Sequence, residues 1–109
     1  MTTEKKQSGP QTDFAATADA AHVLADATRL RVLFLLAGGE MNVSALCTAL
    51  RCAHPTCSHH LGILRMHHVV IRRRWGKQVF YALATPTRST GRINVDVGGG
   101  TITIERVKR

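Results

Sequence analysis

The spacing of the apolar residues changes near residue 69, and this change limits the fold more than any other feature of the chain. Upstream of it, apolar side chains recur at helical intervals, as Leu30, Leu33 and Phe34 do. Downstream of it, β-branched and aromatic residues dominate the runs 69–71 and 79–81, and such residues favour strands. The sequence therefore predicts a mainly helical domain followed by a β-hairpin.

Four helices are predicted in the first part of the chain, in segments 13–25, 26–39, 42–52 and 53–68. Asp13 is suited to cap the first helix, because a short side-chain acceptor there binds free backbone N–H groups. Asn42 or Ser44 can cap the third in the same way. Gly38 and Gly39 end the second helix, which we expect to be the central one. The apolar positions of the first helix are Phe14, Ala18, Ala21 and Leu24.

The fourth predicted helix has two different faces. Pro55 suits its first turn, where the missing backbone N–H costs nothing. Cys57, Leu61 and Leu64 repeat at i, i+4 and i+7, so this stripe should pack on the core. The other face carries mostly small or polar side chains, which are Thr56, Ser58, His59, Gly62 and Arg65.

The predicted strands form two hairpins. The first surrounds Trp75, Gly76 and Lys77, so its tip is basic. The second places Ile93, Val95 and Val97 opposite Ile102 and Ile104, on the two sides of three glycines. These patterns predict a disordered arm over 1–12, a domain over 13–84, a linker over 85–92 and a C-terminal hairpin or tail over 93–109.

The charge of the chain is strongly positive and unevenly distributed. The 109 residues include 15 Lys and Arg against 7 Asp and Glu, which gives a formal net charge of +8. No acidic residue lies between Met41 and Val95, a stretch that holds five of the six histidines. An acid-free segment of this length favours a polyanionic partner, nucleic acid first. Generic basicity for solubility and binding to an anionic membrane surface are the alternatives.

Several classes of protein are disfavoured. The longest apolar run, Val32 to Ala37, is far shorter than the roughly 20 residues that span a bilayer, and no apolar run of a signal peptide follows the first lysines. We therefore expect a cytoplasmic protein with reduced thiols. Catalysis is not expected. Cys57 and Ser58 precede His60 by three and two residues on one helix, a spacing poorly suited to proton transfer. No carboxylate lies nearby in the sequence to orient the imidazole.

Two short helices with a tight connection, followed by a basic hairpin, are typical of a winged helix-turn-helix. An α-helix fills the major groove of DNA, where its exposed side chains meet the base edges. Small polar side chains on the fourth helix allow a close approach, while cations on the hairpin reach phosphates or the minor groove. The pattern therefore predicts a mainly α domain with a β-hairpin wing that binds double-stranded DNA.

Three segments resemble motifs of the ArsR/SmtB family of repressors. They are LADATRLRVLFLL at 24–36, HPTCSHHLGILR at 54–65 and RRRWGKQVFYAL at 72–83. The resemblance covers roughly Phe14 to Ala84. It implies a homodimeric winged-helix repressor of transcription that an inducer, often a metal ion or a reactive small molecule, releases from its operator.

The resemblance also implies which residues contact DNA. Thr56, Ser58 and His59 match the positions that face the major groove. The full predicted set is His54, Thr56, Ser58, His59, Arg65, Arg72, Arg73, Arg74 and Lys77. Thr56 and Ser58 could instead cap the fourth helix. Arg72 could instead face the protein, since neighbouring strand residues alternate between faces, and His60 is expected to be packed or partly buried.

The metal sites known in the family are not expected in this chain. Asn42 and Ser44 stand where metal-sensing members carry cysteines, and neither replaces a thiolate at a soft-metal site. The other family site needs a C-terminal helix, which this sequence replaces with a hairpin. We therefore predict no metal and no cofactor.

The three cysteines are an odd number within a short stretch, so a disulfide framework is not expected. Free cysteine behaves as a small apolar residue and is often buried, so we expect Cys47, Cys52 and Cys57 to belong to the core. The alternative is a thiol sensor, which would bind a soft metal ion or react with an inducer, with His54, His59 and His60 nearby.

A homodimer is expected, because one module offers too little contact for operator specificity and palindromic sites need a two-fold partner. Family dimers use the first and last helices, so the C-terminal hairpin should pack on the first helix or pair with its twin. A floppy tail is the alternative. The competing function is a winged helix that binds protein or structured RNA without binding an operator.

Overall fold

Residues 12–87 and 89–107 are described in a computed structural model of the chain. They form, in chain order, α1 (Phe14–Leu24), α2 (Ala27–Leu36), β1 (Met41–Asn42), α3 (Val43–Leu50), α4 (His54–Met66), β2 (Val70–Trp75), β3 (Gln78–Leu83), β4 (Arg92–Val97) and β5 (Gly100–Glu105). This architecture confirms the predicted winged helix-turn-helix with an additional C-terminal hairpin. The arm predicted over 1–12 lies, apart from Thr12, outside the described residues.

Side-chain caps fix where three of the helices begin. Asp13 accepts a hydrogen bond from the backbone N–H of Ala16 at 3.1 Å, and Asp26 accepts one from Arg29 at 2.9 Å. Asn42, rather than Ser44, caps α3, by accepting from the N–H of Ala45 at 2.7 Å. Each of these bonds satisfies one of the donors that the first turn of a helix leaves free.

The core lies between α2 and the helix-turn-helix formed by α3 and α4. Leu33 of α2, Leu46 of α3, and Leu61 and Leu64 of α4 are fully buried. Helix α2 packs against α1, α3, α4, β3 and β4, so the expectation that it is central is confirmed. Burial of this aliphatic cluster provides the main driving force for folding, since each such side chain contributes about 1.5–3 kcal/mol.

Of the four apolar positions predicted for α1, Leu24 is buried as predicted and the other three are wrong. Phe14 is 79% exposed, and Ala18 and Ala21 are exposed as well. The residues of α1 that are buried are Ala20, Val23 and Leu24. Their i, i+3, i+4 spacing suits the buried face of a helix as well as the predicted spacing does. Packing against α2 decides which of the two faces is buried.

The wing is a three-stranded antiparallel sheet in the order β1-β3-β2. Its register pairs Val70 with Leu83 and Trp75 with Gln78. The short strand β1 was not predicted; it pairs Met41 with Tyr81 on the other edge of β3. This pairing ties the wing to the start of α3, so the wing and the helix-turn-helix are held in one unit.

The C-terminal segment forms the predicted hairpin and packs on the helical domain. Ile93 pairs with Ile104 and Val95 with Ile102, and the two residues of β4 are buried in the core. At the turn, Gly98 has φ +44° and a Cβ there would lie 2.7 Å from the Cβ of Asp13. Glycine is required for this approach, and it allows the N–H of Asp13 to donate to the carbonyl of Gly98 at 2.6 Å.

Two neighbouring residues of α4 test the assignment of its buried and exposed faces. Replacing the buried Leu61 with Ala should lower the free energy of unfolding by about 2–5 kcal/mol, because it leaves a cavity in the core. Replacing Gly62 with Ala should instead raise it by about 1 kcal/mol, since no atom lies within 4 Å of an added Cβ. Urea denaturation measures both changes. Equal losses in the two variants would contradict the assignment.

Candidate nucleic-acid interface

Helix α4 presents its polar flank to solvent because its aliphatic flank is fixed in the core. Cys57, Leu61 and Leu64 are fully buried. The side chains predicted to lie outside are exposed, and these are Thr56, Ser58, His59, Gly62 and Arg65. The two faces of this helix are therefore those that the sequence predicted.

The N-terminal end of α4 lies beside the tip of the wing. His54 is the first residue of the helix and its ring nitrogen Nδ1 lies 3.4 Å from the Oγ of Ser58. His54, Lys77 and Gln78 line one groove of about 330 Å³ together with the start of α3. The fold thus places His54, a predicted DNA contact at the start of α4, next to Lys77, a predicted cation of the wing.

A second groove runs between the C-terminal half of α4 and β2. It has a volume of about 560 Å³, and Arg65 of the helix and Arg72 of the wing both line it. The two arginines, which are seven residues apart along the chain, therefore border the same concave surface. Each of the two grooves beside α4 is lined by at least one cation, Lys77 in the first and Arg65 with Arg72 in the second, and this suits a polyanion that follows the helix.

The three consecutive wing arginines do not have equal freedom. All three are exposed, but the register of β2 places Arg72 and Arg74 on one face of the ribbon and Arg73 on the other. Arg73 donates to both carboxylate oxygens of Glu40, with the shorter contact at 2.9 Å. Arg73, rather than Arg72, is the arginine that the protein itself engages.

Sequence reasoning missed two contacts that shape this surface. One is the Glu40–Arg73 pair, and its only signal is that Glu40 is the last acid before the acid-free segment. The other joins Arg29 of α2 to His60 of α4, with 3.2 Å between Nη1 and Nδ1. His60 is half-buried, in line with its expected position beside the core.

The cysteines gather at the junction of α3 and α4. Cys57 is fully buried, whereas Cys47 and Cys52 are half-buried and pack against the core. Burial, followed by the hydrogen bond and charge of the neighbouring Cys47, raises the pKa of the Cys57 thiol from 9.0 to about 12. Cys57 is therefore a neutral thiol at physiological pH, and the thiolate is the form that binds metals and attacks electrophiles.

Two features are absent from the described ranges, 12–87 and 89–107. No group of three or more His, Cys, Asp or Glu side chains in them is arranged to hold a metal ion. None of their helices combines the length and the apolar character of a membrane span.

The fold and this surface define a winged helix-turn-helix protein, and comparison with known proteins gives the family. Residues 26–70 match the model of the bacterial regulatory proteins of the arsR family. The transcriptional repressor SdpR of Bacillus subtilis is 36% identical over 62 residues, which are 57% of this chain and 69% of SdpR. The chain belongs to the ArsR family, and the resemblance seen in the sequence is confirmed. This family consists of transcriptional regulators and not of enzymes.

Other relatives support the same assignment over part of their length. The arsenical resistance operon repressor of Escherichia coli is 44% identical over 63 residues, and the match covers 57% of this chain and 54% of that protein. The chain thus spans about half the length of this relative. The homodimeric winged helix-turn-helix DNA-binding domain of Mb0332 from Mycobacterium bovis is 34% identical, with a TM-score of 0.63 over 69% of this chain and 74% of that one.

The burial of Cys57 gives a prediction for thiol chemistry. Iodoacetamide at neutral pH should modify Cys47 and Cys52 in the folded protein and leave Cys57 unmodified, because a buried thiol with a raised pKa is unreactive. Mass spectrometry of the digested protein measures each site. In the control, protein unfolded in guanidinium should react at all three. Equal rates for Cys57 and Cys47 in the folded protein would contradict the position of Cys57.

Proposed function

We propose that this protein is a homodimeric repressor of transcription that binds a specific sequence of double-stranded DNA. The observation that carries the proposal is the exposed polar flank of α4 between two grooves, bordered by His54 with Lys77 and by Arg65 with Arg72. An α-helix of this kind fits the major groove, and cations beside it neutralise phosphates. Membership of the ArsR family supports the same function.

The proposed roles follow from where the side chains lie. Thr56, Ser58 and His59 read base edges from the exposed flank of α4, with His54 at its start. The wing and the end of the helix contact phosphates through the remaining predicted residues, which are Arg65, Arg72, Arg73, Arg74 and Lys77. Arg73 must exchange its bond to Glu40 for a phosphate, so we assign it a smaller contribution than Arg74 or Lys77.

The proposed dimer uses α1 and the C-terminal hairpin. Helix α1 leaves Phe14, Ala18 and Ala21 exposed on one side, and Ile102 and Ile104 of β5 remain half-buried beside it. Apolar surface of this kind is typical of a protein–protein contact. In this proposal 13–84 is the DNA-binding domain, 85–92 is the linker and 93–109 contributes to dimerisation.

We infer that the protein acts in the cytoplasm, where its DNA lies. The inducer would act by weakening the contact between α4 and the operator. A sensing role for Cys47, Cys52 and Cys57, through a soft metal ion or a thiol-reactive inducer, stays a prediction. The neutral state of Cys57 favours a core role for that residue.

The wing cations should contribute to binding of every DNA sequence. Replacing Arg74 and Lys77 with Ala should weaken binding to the DNA upstream of the protein's own gene and to an unrelated duplex alike. The slope of log affinity against log salt should also fall by about 2 per protomer, because each lost phosphate contact removes about 0.9. Mobility-shift titration at several salt concentrations measures the slope. Arg92→Ala, which removes a cation from the C-terminal hairpin, should leave the slope unchanged.

A loss of affinity without a change in slope would contradict phosphate contacts by Arg74 and Lys77. If the wild-type protein binds structured RNA or a protein but no duplex DNA, the proposed function itself is wrong.

His59 should instead determine sequence preference. Replacing it with Ala should relax the preference at one base position by about 1–3 kcal/mol, since each specific base contact contributes about this much. Sequencing of duplexes selected from a random library by each protein measures the preference. Thr48→Ala, at an exposed position of α3 outside the proposed base-reading set and dimer surface, is the control and should select the wild-type motif. An unchanged motif for His59→Ala would remove His59 from the base-reading set.

A further inference from the structure

Arg29 connects three helices through its backbone and its side chain. It lies near the start of α2, where its backbone N–H donates to the cap Asp26. Its Nε donates to the carbonyl of Val23 at 2.6 Å, and its Nη1 lies 3.2 Å from Nδ1 of His60. The end of α1, the start of α2 and the middle of α4 therefore meet at one half-buried guanidinium.

The contact with Val23 explains why the guanidinium is held in place. Val23 lies in the last turn of α1, where the carbonyl groups have no partner within the helix. A cation at the C-terminal end of a helix also interacts favourably with the helix dipole. The same guanidinium is charge-compensated by Asp26, because the hydrogen bond from the Arg29 N–H lowers the pKa of that carboxyl and keeps it ionised.

The contact with His60 fixes the protonation of its ring. A guanidinium carries only N–H donors and no acceptor, so Nδ1 of His60 must accept the hydrogen bond. The bond therefore requires the tautomer with a proton on Nε2 and none on Nδ1. A proton on Nδ1 would remove this bond and place an N–H against the guanidinium.

This bond acts on the orientation of α4. Burial of the stripe of Cys57, Leu61 and Leu64 decides which side of the helix faces the core, through apolar contacts that are less directional than a hydrogen bond. His60 lies on the flank next to this stripe, one residue after the proposed base-reading His59, and the two rings lie 5.9 Å apart. A directional hydrogen bond at His60 restricts rotation of the helix about its own axis, and so fixes where His59 points.

We propose that Arg29 and His60 form a positioning pair, in which a guanidinium anchored on α1 and α2 holds the neutral His60 ring and sets the orientation of the DNA-reading helix. Neither residue needs to touch DNA for this role. The inference rests on the proposed function for its effect on binding. The geometry of the pair is a property of the free protein and is tested separately.

The binding test uses two replacements of His60 and one duplex. The duplex is the sequence that the wild-type protein enriches from a random library. His60→Asn places a side-chain oxygen at the position of Nδ1, so it keeps an acceptor for Arg29, whereas His60→Leu removes it. We expect His60→Leu to bind the duplex about tenfold more weakly and His60→Asn to stay within about threefold of wild type, since a hydrogen bond to a charged group contributes this much.

The spectroscopic test uses the free protein and needs no DNA. Long-range correlation of the imidazole nitrogens with the ring protons reports which nitrogen carries the proton. The His60 signals are those that His60→Asn lacks. We expect the wild-type ring to be protonated on Nε2 alone near neutral pH. We expect Arg29→Lys, which cannot bond Val23 and His60 with the same geometry, to give a mixture of tautomers.

The two experiments distinguish a failure of the Arg29–His60 pair from a failure of the proposed function. A proton on Nδ1 in the wild-type protein overturns the pair, whatever the binding results. Equal losses of affinity in His60→Leu and His60→Asn, or no loss in His60→Leu, overturn the positioning role. If the wild-type protein enriches no sequence, the proposed function fails and the positioning role fails with it, even where the tautomer is as expected. Thermal unfolding of each variant, with His22→Leu as the control, identifies a loss that is caused by unfolding.

Discussion

Burial of the apolar stripe of α4 determines which side chains of this helix reach the surface. Cys57, Leu61 and Leu64 are fully buried, and this contact fixes the helix against the core. The polar flank must then face solvent, because the two faces belong to one rigid rod. The wing joins this arrangement through β1, whose pairing with β3 ties the basic hairpin to the start of α3. The grooves beside α4 are a consequence of these two attachments.

Electrostatics adds a second level of organisation to this scaffold. The segment between Met41 and Val95 lacks acids, so its cations have few partners within their own sequence. The acid that reaches the wing, Glu40, stands just outside that segment and engages Arg73. Because an exposed ion pair of this kind contributes little to stability, Arg73 can exchange Glu40 for a phosphate at low cost. Within this segment Arg73 pairs with Glu40 and Arg92 pairs with Glu105, while Arg74 and Lys77 are exposed on the wing.

The cysteines and the half-buried Arg29 and His60 lie where the helices meet. The three cysteines lie at the junction of α3 and α4, and the Arg29–His60 bond lies where α1, α2 and α4 come together. In the first cluster Cys57 is a neutral thiol, which fits a core in which a buried thiolate would be costly. The second is directional and satisfies a free carbonyl at the end of α1. Both clusters include a residue of α4, so changes at either would act on the proposed DNA-reading flank of this helix without contact with DNA.

The sequence by itself determined the class of fold, the two faces of α4 and all the described elements except β1. Caps, glycines and apolar spacing act over a few residues, so the sequence alone predicts the elements that they define. The tertiary structure decided the rest. Phe14 of α1 is exposed, and β1 pairs with β3. Arg73 is the wing arginine that pairs with Glu40, and Arg29 contacts His60. The physical reason is that these contacts join residues distant in sequence, so they depend on how the helices dock and not on the pattern within any one of them.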